Sequence, residues 1–285
     1  MALPNHTPLN YRIWHYTYLT FCGFVFFFLI APLFVILPLS FNAEQYIHFS
    51  SKMLALDPEG FSLRWYEDMI YGTKNPWGLA TKNSLIIAFF ATIGSTILGT
   101  VAALGLSSRH MPYKAAFMAL LISPMIVPLI ITAAGMFFFY ARINLVYSFT
   151  GIILAHVALA TPFVVITVTA TLVGFDMNMV KASQSLGARP VRTFFKVIMP
   201  LILPGVISGA LFAFITSFDE VVIVMFMASL DQLTIPKQMW AGIRQEISPV
   251  ILCMATCLVV LSILLLTTVE LLRRRSEKLR GITSR

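Results

Sequence analysis

The chain has 285 residues, of which 58% are hydrophobic and only 11% are charged, and its mean hydropathy is +0.85. This composition excludes a soluble domain, because a water-soluble fold cannot bury that much apolar surface. The formal net charge of +8 suits contact with anionic lipid headgroups, so membrane lipid and not nucleic acid is the expected partner of the basic residues.

Six stretches of the chain contain no Asp, Glu, Lys or Arg, and each can hold the roughly 20 residues with which a helix crosses hydrocarbon. These stretches are 13–43, 83–108, 115–141, 143–175, 197–218 and 247–269. The sequence therefore predicts an all-α membrane protein with six transmembrane helices. The expected parts are an N-terminal tail (1–17), a first transmembrane helix (18–41), an external loop (42–80), a five-helix core (81–272) and a basic tail (273–285).

The first apolar stretch is expected to stay attached to the protein. Its apolar part, Tyr18 to Phe41, is longer than the hydrophobic region of a signal peptide and lacks an A-x-A cleavage site. The three cysteines, Cys22, Cys253 and Cys257, all lie inside predicted spans. We interpret them as packing residues, so neither a disulfide framework nor a metal site is expected.

The distribution of positive charge predicts the orientation in the membrane, because Lys and Arg are enriched in cytoplasmic loops. With the N-terminus inside, the inner segments hold 13 of the 20 Lys and Arg residues. The seven that remain outside are matched by seven acidic residues. We therefore expect both termini in the cytoplasm.

Two external segments contain amphipathic stretches. In the loop 42–80, FSLRWYEDM (Phe61 to Met69) is typical of a short surface helix capped by Ser62. The last external loop, Leu233 to Pro249, either meets a partner protein or covers the helical bundle.

Glycines and prolines mark the predicted spans. Predicted helix 2 carries Gly94, Gly99 and Gly105, and such small residues let neighbouring helices approach closely. The later spans contain prolines, which suit either a transporter with a water-filled path or merely a bent bundle. These prolines are Pro124, Pro128, Pro162, Pro204 and Pro249.

The second predicted cytoplasmic loop, 175–199, is about three times as long as the first, Ser107 to Lys114. Met179 to Leu186 favour a short helix, Gly187 favours a left-handed turn, and Pro190 suits the first turn of a second helix. Charge alone indicates only a basic loop that the orientation rule keeps inside. The helix-turn-helix pattern additionally predicts a docking element.

The spacing within this loop is more specific than its charge. Lys181-Ala182-Ser183, three residues, Gly187, nine residues and then Val197-Ile198-Met199-Pro200 resemble the EAA-x3-G-x9-I-x-L-P signature of bacterial ABC-importer permeases. Further stretches resemble the spermidine/putrescine permeases, in particular their C-type subunit. These stretches are PFVVITV (Pro162 to Val168), GFDMNMVKASQSLGA (Gly174 to Ala188), SFDEVVI (Ser217 to Ile223) and ISPVILCMATCLVVLSI (Ile247 to Ile263). The likeness covers most of the chain from Phe61 onward.

The resemblance implies a multi-pass protein of the bacterial inner membrane with the type I ABC-importer permease fold. The implied partners are a homologous second permease subunit, two ATPase subunits and a periplasmic solute-binding protein, which the last external loop would meet. ATP and Mg would be bound by the ATPases, since this chain lacks the phosphate-binding G-x-x-x-x-G-K-[ST] pattern. The chain itself is expected to be non-catalytic and to hold no cofactor.

The resemblance also places the ATPase-coupling residues on the loop, where ATP-driven closure of the ATPases would pull the attached helices. These residues are Lys181, Ala182, Ser183, Leu186, Gly187 and Ala188. The chain departs from the family signature at two of them, since the usual Glu is Lys181 and the second Ala is Ser183. The ATPase contact of that Glu cannot be carried over, and the reversed charge implies a different polar partner or none.

Asp219 and Glu220 form the only adjacent acidic pair in a predicted apolar run. An acid at the centre of a span costs about 3 kcal/mol on insertion scales, so it usually faces a partner or an aqueous path. Asp219 lies roughly 28 Å along its helix from Pro200, near the outer mouth, where this cost is lower. Two interpretations are equally supported. The acids form either a site for a cationic substrate, with Phe218 and Tyr140 as aromatic contacts, or a structural pair. Adjacent residues point about 100° apart, so at most one acid is expected to face the pathway.

The resemblance favours a small organic cation as cargo, with putrescine or spermidine preferred and an amino-acid-like or opine-type amine as the alternative. A secondary transporter or channel would carry intramembrane charge networks or inverted repeats, and neither is evident. A membrane enzyme would need clustered His, Asp or Glu, which the five scattered histidines do not supply. His156, alone in predicted helix 4, is interpreted as a packing group.

Overall fold

The computed structural model describes residues 8–72, 76–108, 111–173, 175–176, 178–245 and 248–279. Within these residues the chain forms helices and no strand, apart from an isolated antiparallel bridge between Asn42 and Phe61. Residues 1–7 and 280–285, which belong to the predicted tails, lie outside the described residues. The predicted all-α class is confirmed.

The described helices fall into two compact units, one of Met1–Asn75 with Gly242–Arg285 and one of Pro76–Ala241. The α-helices are α1 (Leu9–Leu39), α2 (Ser51–Leu54), α3 (Arg64–Tyr71), α4 (Trp77–Leu106), α5 (Lys114–Ile126), α6 (Leu129–Arg142), α7 (Phe149–Val173), α8 (Asn178–Ser185), α9 (Pro190–Thr193), α10 (Met199–Phe218), α11 (Val222–Met227), α12 (Ile235–Gln245) and α13 (Val250–Leu279). A 3₁₀ turn at Pro58–Gly60 and a π-helical turn at Phe194–Ile198 are also present.

Four described helical runs are long and apolar enough to cross a membrane: α1, α4, α7 and the continuous run Pro190–Phe218. The pair α5–α6 makes a fifth candidate if it counts as one span, and Val250–Leu264 of α13 is a shorter apolar helix. Length and composition therefore support four or five of the six predicted spans as full crossings.

The third predicted span, 115–141, is not one straight helix. It consists of α5 and α6, which meet at an angle of 101°. Val127 between them is extended, with ψ 134°, and Pro128 precedes the first residue of α6. Proline lacks an N–H and disfavours helical geometry in the residue before it, so Pro128 ends α5 and permits the bend.

In the first unit, α1 starts at Leu9, nine residues before the predicted start of the first span. No charged residue interrupts the helix after Arg12, and Pro8 favours a helix start. Most of its apolar side chains are exposed, including Phe24, Phe27 and Phe28. A helix that is apolar on all sides and uncovered by protein suits contact with lipid.

The segment that follows α1 in the first unit is held by polar contacts. The Ser40 and Tyr66 hydroxyls lie 2.7 Å apart, and Trp65 Nε1 donates to the Glu44 carbonyl at 3.2 Å. Burial raises the pKa of the Tyr66 phenol, so its hydroxyl stays protonated. A helix is present in the predicted stretch as α3, but its N-cap is Leu63 and not the predicted Ser62, and it has no side-chain cap. Ser62 Oγ instead accepts the N–H of Arg64, the first residue of α3, at 3.1 Å.

The second unit is built on α4, α7 and α10, with α7 in contact with both of the others. Small residues permit this contact. A Cβ added at Gly99 of α4 would lie 2.6 Å from Val164 Cβ of α7, and one at Gly209 of α10 would lie 3.0 Å from Val164 Cα. Gly94 also faces α7, at Val157, whereas a Cβ at Gly105 would meet nothing within 4 Å. The predicted role in close packing therefore holds for Gly94 and Gly99 but not, within this chain, for Gly105.

Gly99→Ala should lower the stability of the second unit by about 1–3 kcal/mol, because the added methyl group overpacks the α4–α7 contact. Gly105→Ala on the same helix is the matched control, and the higher helix propensity of alanine should make it neutral or stabilising by up to about 1 kcal/mol. Unfolding by SDS in mixed micelles measures both variants. Equal stability of the two variants would contradict the packing role of Gly99.

Candidate coupling loop and acidic pocket

The loop between α7 and α10 folds as the predicted helix, turn and second helix. The first helix is α8, Asn178–Ser185, which begins and ends one residue earlier than predicted. Gly187 has φ +79°, and its N–H donates to the Gln184 carbonyl at 2.9 Å while the Ala188 N–H donates to the Ser183 carbonyl at 3.1 Å. Pro190 is the first residue of α9. A glycine in the left-handed region thus ends α8, as its sequence position predicts.

The six predicted coupling residues differ in exposure. Lys181, Ala182, Leu186 and Gly187 are exposed, with 88% of Leu186 accessible. Ser183 and Ala188 are half-buried. A leucine left this exposed on a short loop is available to a partner protein.

Ser183, one of the two departures from the family signature, has a partner within the chain. Its Oγ lies 3.0 Å from Oγ1 of Thr193, and Thr193 is buried. This hydrogen bond joins α8 to α9 across the turn. A hydroxyl at position 183 therefore stabilises the loop in a way that alanine cannot.

One continuous helical run connects the loop with the opposite end of α10. The run extends from Pro190 to Phe218, 29 residues, and includes the π-helical turn at Phe194–Ile198. At 1.5 Å per residue its length is roughly 43 Å, enough to cross the hydrocarbon core of a bilayer. A single helical element therefore joins the loop to the residues that follow Phe218.

An open pocket of about 380 Å³ lies at the far end of this run. Its lining combines α6, the end of α10 and the start of α11. The lining residues are Leu129, Ile215, Thr216, Asp219, Glu220, Val221 and Val222. Both predicted acids are therefore present at this pocket, which the bend before Leu129 helps to form.

The two acids have different environments. Glu220 is 8% exposed, and its Oε1 accepts the Ile223 N–H at 2.7 Å in the first turn of α11. Asp219 is exposed and takes part in neither of the two ion pairs of the described chain. Its position after the last residue of α10 adds its charge to the negative end of the helix dipole. Of the two acids at the pocket, Asp219 is thus the one whose carboxylate is accessible.

The two predicted aromatic contacts do not line the pocket. The Phe218 ring stacks on Phe214, with centroids 5.5 Å apart. Tyr140 packs against an apolar cluster that includes Ile152 and Met227. Among the described residues, no group of three or more His, Cys, Asp or Glu side chains is arranged to hold a metal ion.

A polar contact that the sequence did not indicate lies near the end of α10. His156 Nδ1 of α7 and Ser217 Oγ of α10 are 2.8 Å apart, and both residues are buried. The partners are 61 residues apart in the chain, so no local pattern could reveal the pair. The predicted packing role of His156 agrees with its burial, and the hydrogen bond joins α7 to α10 two residues before Asp219.

Ser217→Ala should lower stability by about 0.6 kcal/mol, the average measured for hydrogen bonds between membrane helices, and by no more than about 1.7 kcal/mol, the largest value measured. The loss leaves the buried imidazole without its partner. Ser123→Ala is the matched control, because the Ser123 hydroxyl is exposed and bonds only to Leu120 O of its own helix. SDS unfolding compares the two, and an equal effect of both changes would contradict the importance of the His156 contact.

Further polar contacts hold the segment between α11 and α12 in the second unit. Asn83 Nδ2 donates to the carbonyls of Asp231 and Leu233 at 2.8 and 2.9 Å. Lys237 Nζ, on the amphipathic helix α12, donates to the Ala228 carbonyl just after α11 at 2.9 Å. The short helix α11 is therefore bonded by Glu220 at its start and by Lys237 just after its end.

Comparison with known proteins agrees with this architecture. Residues 95–278 match the model of the family described as binding-protein-dependent transport system inner membrane component. The spermidine/putrescine transport system permease protein PotC of Haemophilus influenzae is 30% identical over 253 residues, which cover 89% of this chain and 95% of that protein. The putrescine transport system permease protein PotI of Escherichia coli is 30% identical over 239 residues, 81% of each chain.

A solved structure supports the fold at lower identity. In the crystal structure of a bacterial ABC transporter involved in the import of alginate, one chain superposes with a TM-score of 0.73 at 15% identity, covering 94% of this chain and 99% of that one. The family match spans well over half of the present sequence, and it includes the coupling loop and the acidic pocket. The chain therefore belongs to the family of multi-pass inner membrane components of binding-protein-dependent transport systems.

Proposed function

We propose that this protein is a non-catalytic permease subunit of an ATP-driven importer that carries a polyamine such as putrescine or spermidine across the bacterial inner membrane. Its partners are a homologous second permease, two ATPase subunits that bind ATP and Mg, and a periplasmic binding protein that delivers the cargo. The named cargo of the two similar permeases, spermidine and putrescine, supports the polyamine assignment.

The observation that carries the mechanism is the continuous helical run from Pro190 to Phe218. It starts beside the exposed loop, where Leu186 and Gly187 are accessible, and it ends at the pocket that contains Asp219. Closure of the ATPases would pull on the loop, and a helix that is rigid along its length would move the pocket with it. Two positions of this element correspond to inward and outward opening.

The proposed topology counts six spans: α1, α4, the bent pair α5–α6, α7, the run through α10, and α13. Both termini lie in the cytoplasm, because this orientation keeps most of the Lys and Arg residues inside. The coupling loop is then cytoplasmic and the acidic pocket faces the periplasmic side. These positions match the sites where the ATPases and the binding protein would dock.

Cation recognition rests on Asp219. An exposed carboxylate at the negative end of a helix attracts an ammonium group, and an open pocket of about 380 Å³ has room for a small amine. Glu220 is engaged with α11, so its role is to hold the pocket wall. The pair thus divides into one acid for the cargo and one for the structure.

The test is uptake of labelled putrescine and spermidine into proteoliposomes that contain both permeases, the ATPases and the binding protein. We expect uptake only with ATP, and loss of uptake when the ATPase cannot hydrolyse it. Uptake that persists without ATP would identify a secondary transporter or channel. Uptake of an amino-acid-like or opine-type amine in place of polyamines would overturn the cargo but not the importer.

A further inference from the structure

Helix α3 of the first unit has an apolar side and a charged side. At about 100° per residue, five of its apolar and aromatic side chains fill an arc of about 160° around the helix axis. In order around the axis, these are Trp65, Met69, Tyr66, Ile70 and the N-cap residue Leu63. The rest of the circumference holds the three charged residues and the last residue of the helix, namely Arg64, Glu67, Asp68 and Tyr71.

The two edges of the apolar arc differ in burial. At one edge Trp65 is buried, and its Nε1 donates to the Glu44 carbonyl at 3.2 Å. The next residue on the arc, Met69, is half-buried. The described residues leave the other edge uncovered, since Leu63 is 60% and Ile70 64% exposed. This edge, Leu63 and Ile70, would lie in water unless another molecule covers it.

Tyr66, between the two edges, fixes the level of α3 relative to two long apolar helices. Its hydroxyl lies 2.7 Å from Oγ of Ser40, the C-cap of α1, and its ring packs on Phe41, with centroids 5.2 Å apart. The Sγ–H of Cys253, in the first turn of α13, donates to the Ser40 carbonyl at 3.3 Å. Helix α3 is therefore attached where α1 ends and α13 begins.

The direction of Tyr66 also orients the other side chains of α3. Arg64 and Asp68, two residues before and after Tyr66, each lie about 160° from it and so point away from the ends of α1 and α13. Ile70 lies only about 40° from Tyr66, and Leu63 about 60°. The uncovered edge is therefore at the level of Tyr66, next to the end of a helix whose apolar side chains are exposed. Charged residues on one side and apolar residues on the other are typical of a helix that lies in a membrane surface.

We infer that α3 lies along the membrane surface, with Leu63 and Ile70 in the boundary between lipid headgroups and acyl chains and with Arg64 and Asp68 in water. The partner of the uncovered edge is thus the lipid bilayer. In the proposed topology this surface is the periplasmic one. The inference goes beyond the proposed function and depends on neither the cargo nor the ATPases, so a failure to import polyamines would leave it intact.

The first test places the photoreactive residue p-benzoylphenylalanine at position 70 or at position 64 of the full-length protein, with the subunits that co-purify, in phosphatidylcholine nanodiscs. On irradiation the benzophenone inserts into a nearby C–H bond. We expect a lipid adduct in place of Ile70 at about ten times the yield in place of Arg64, because only the former side chain contacts acyl chains. Mass spectrometry measures both yields and identifies the attached molecule.

The second test compares Ile70→Asp with Tyr71→Asp. The two neighbours are similarly exposed, 64% and 80%, so contacts within the chain predict similar effects. With Ile70 in lipid, Ile70→Asp should lower the Tm of the protein in nanodiscs, because the new carboxylate is withdrawn from water. Tyr71→Asp, on the charged side, should leave the Tm unchanged.

Three outcomes would overturn the inference. An adduct that joins position 70 to a protein chain would show that a subunit covers this edge in place of lipid. Equal lipid yields at positions 70 and 64 would show that the two sides of α3 have the same surroundings. Equal Tm values for Ile70→Asp and Tyr71→Asp would show that the bilayer does not distinguish the two residues.

Discussion

Gly187→Val is expected to lower ATP-driven uptake about tenfold or more while the chain still inserts into the membrane. Gly187 has φ +79°, a backbone conformation that costs an L-residue roughly 1–2 kcal/mol, and a β-branched residue adopts it least readily. The strained turn would reorient Leu186 and α8, so the loop would lose its docking shape. Uptake into proteoliposomes and binding of the ATPase to the permease pair measure the effect.

Gly187→Asn is the matched control, because asparagine adopts the left-handed conformation more readily than other non-glycine residues. A Cβ added at Gly187 meets no atom within 4 Å, so valine acts through the backbone and not through a clash. Asparagine should therefore retain most of the uptake. Normal transport by the valine variant, or equal losses in both variants, would contradict the need for a left-handed turn.

Asp219→Asn should reduce polyamine uptake about tenfold or more at low substrate concentration, because a hydrogen bond to a charged group contributes about 1.5–3 kcal/mol. Asparagine is nearly isosteric but removes the negative charge at the end of α10. We expect the concentration for half-maximal uptake to rise more than the maximal rate falls. Initial uptake rates over a range of putrescine concentrations measure both quantities.

Glu220→Ala provides the contrasting variant. In the wild type the Glu220 carboxylate accepts a hydrogen bond from the Ile223 N–H inside the protein. Removal of this carboxylate should lower stability by about 1–3 kcal/mol, because the buried N–H then has no acceptor. Asp219→Asn should leave stability unchanged in SDS unfolding. An unchanged half-maximal concentration in Asp219→Asn would remove Asp219 from the substrate path, and a stability loss like that of Glu220→Ala would assign it a structural role.

The helix-turn-helix of the coupling loop could be predicted because it depends on local backbone preferences. Glycine readily adopts a positive φ and proline suits the first turn of a helix, whatever the rest of the fold. The structure has both features, at Gly187 and at Pro190. The role of Ser183 could not be predicted in this way. Its partner, Thr193, is ten residues away across the turn.

The acidic pair shows the same division within two adjacent residues. Sequence placed Asp219 and Glu220 together near the outer end of a helix, and the angle between neighbouring side chains allowed only one to face a pathway. Which of the two acids is exposed depends on where the helices end and begin: α10 ends at Phe218 and α11 begins at Val222. Phe218 and Tyr140, chosen for their aromatic rings, lie outside the pocket lining because each packs against other apolar side chains.

Hydropathy, charge and backbone preference along the chain by themselves determined a multi-pass helical membrane protein, its apolar stretches and the turn at Gly187. These properties belong to single residues or to neighbours within a few positions. Only the tertiary structure decided the 101° bend between α5 and α6, the contact of Gly99 with α7, the His156–Ser217 pair and the exposure of Asp219. Each of these depends on helices that meet across tens of residues, and that packing depends on shape complementarity, which hydropathy and charge along the chain do not reveal.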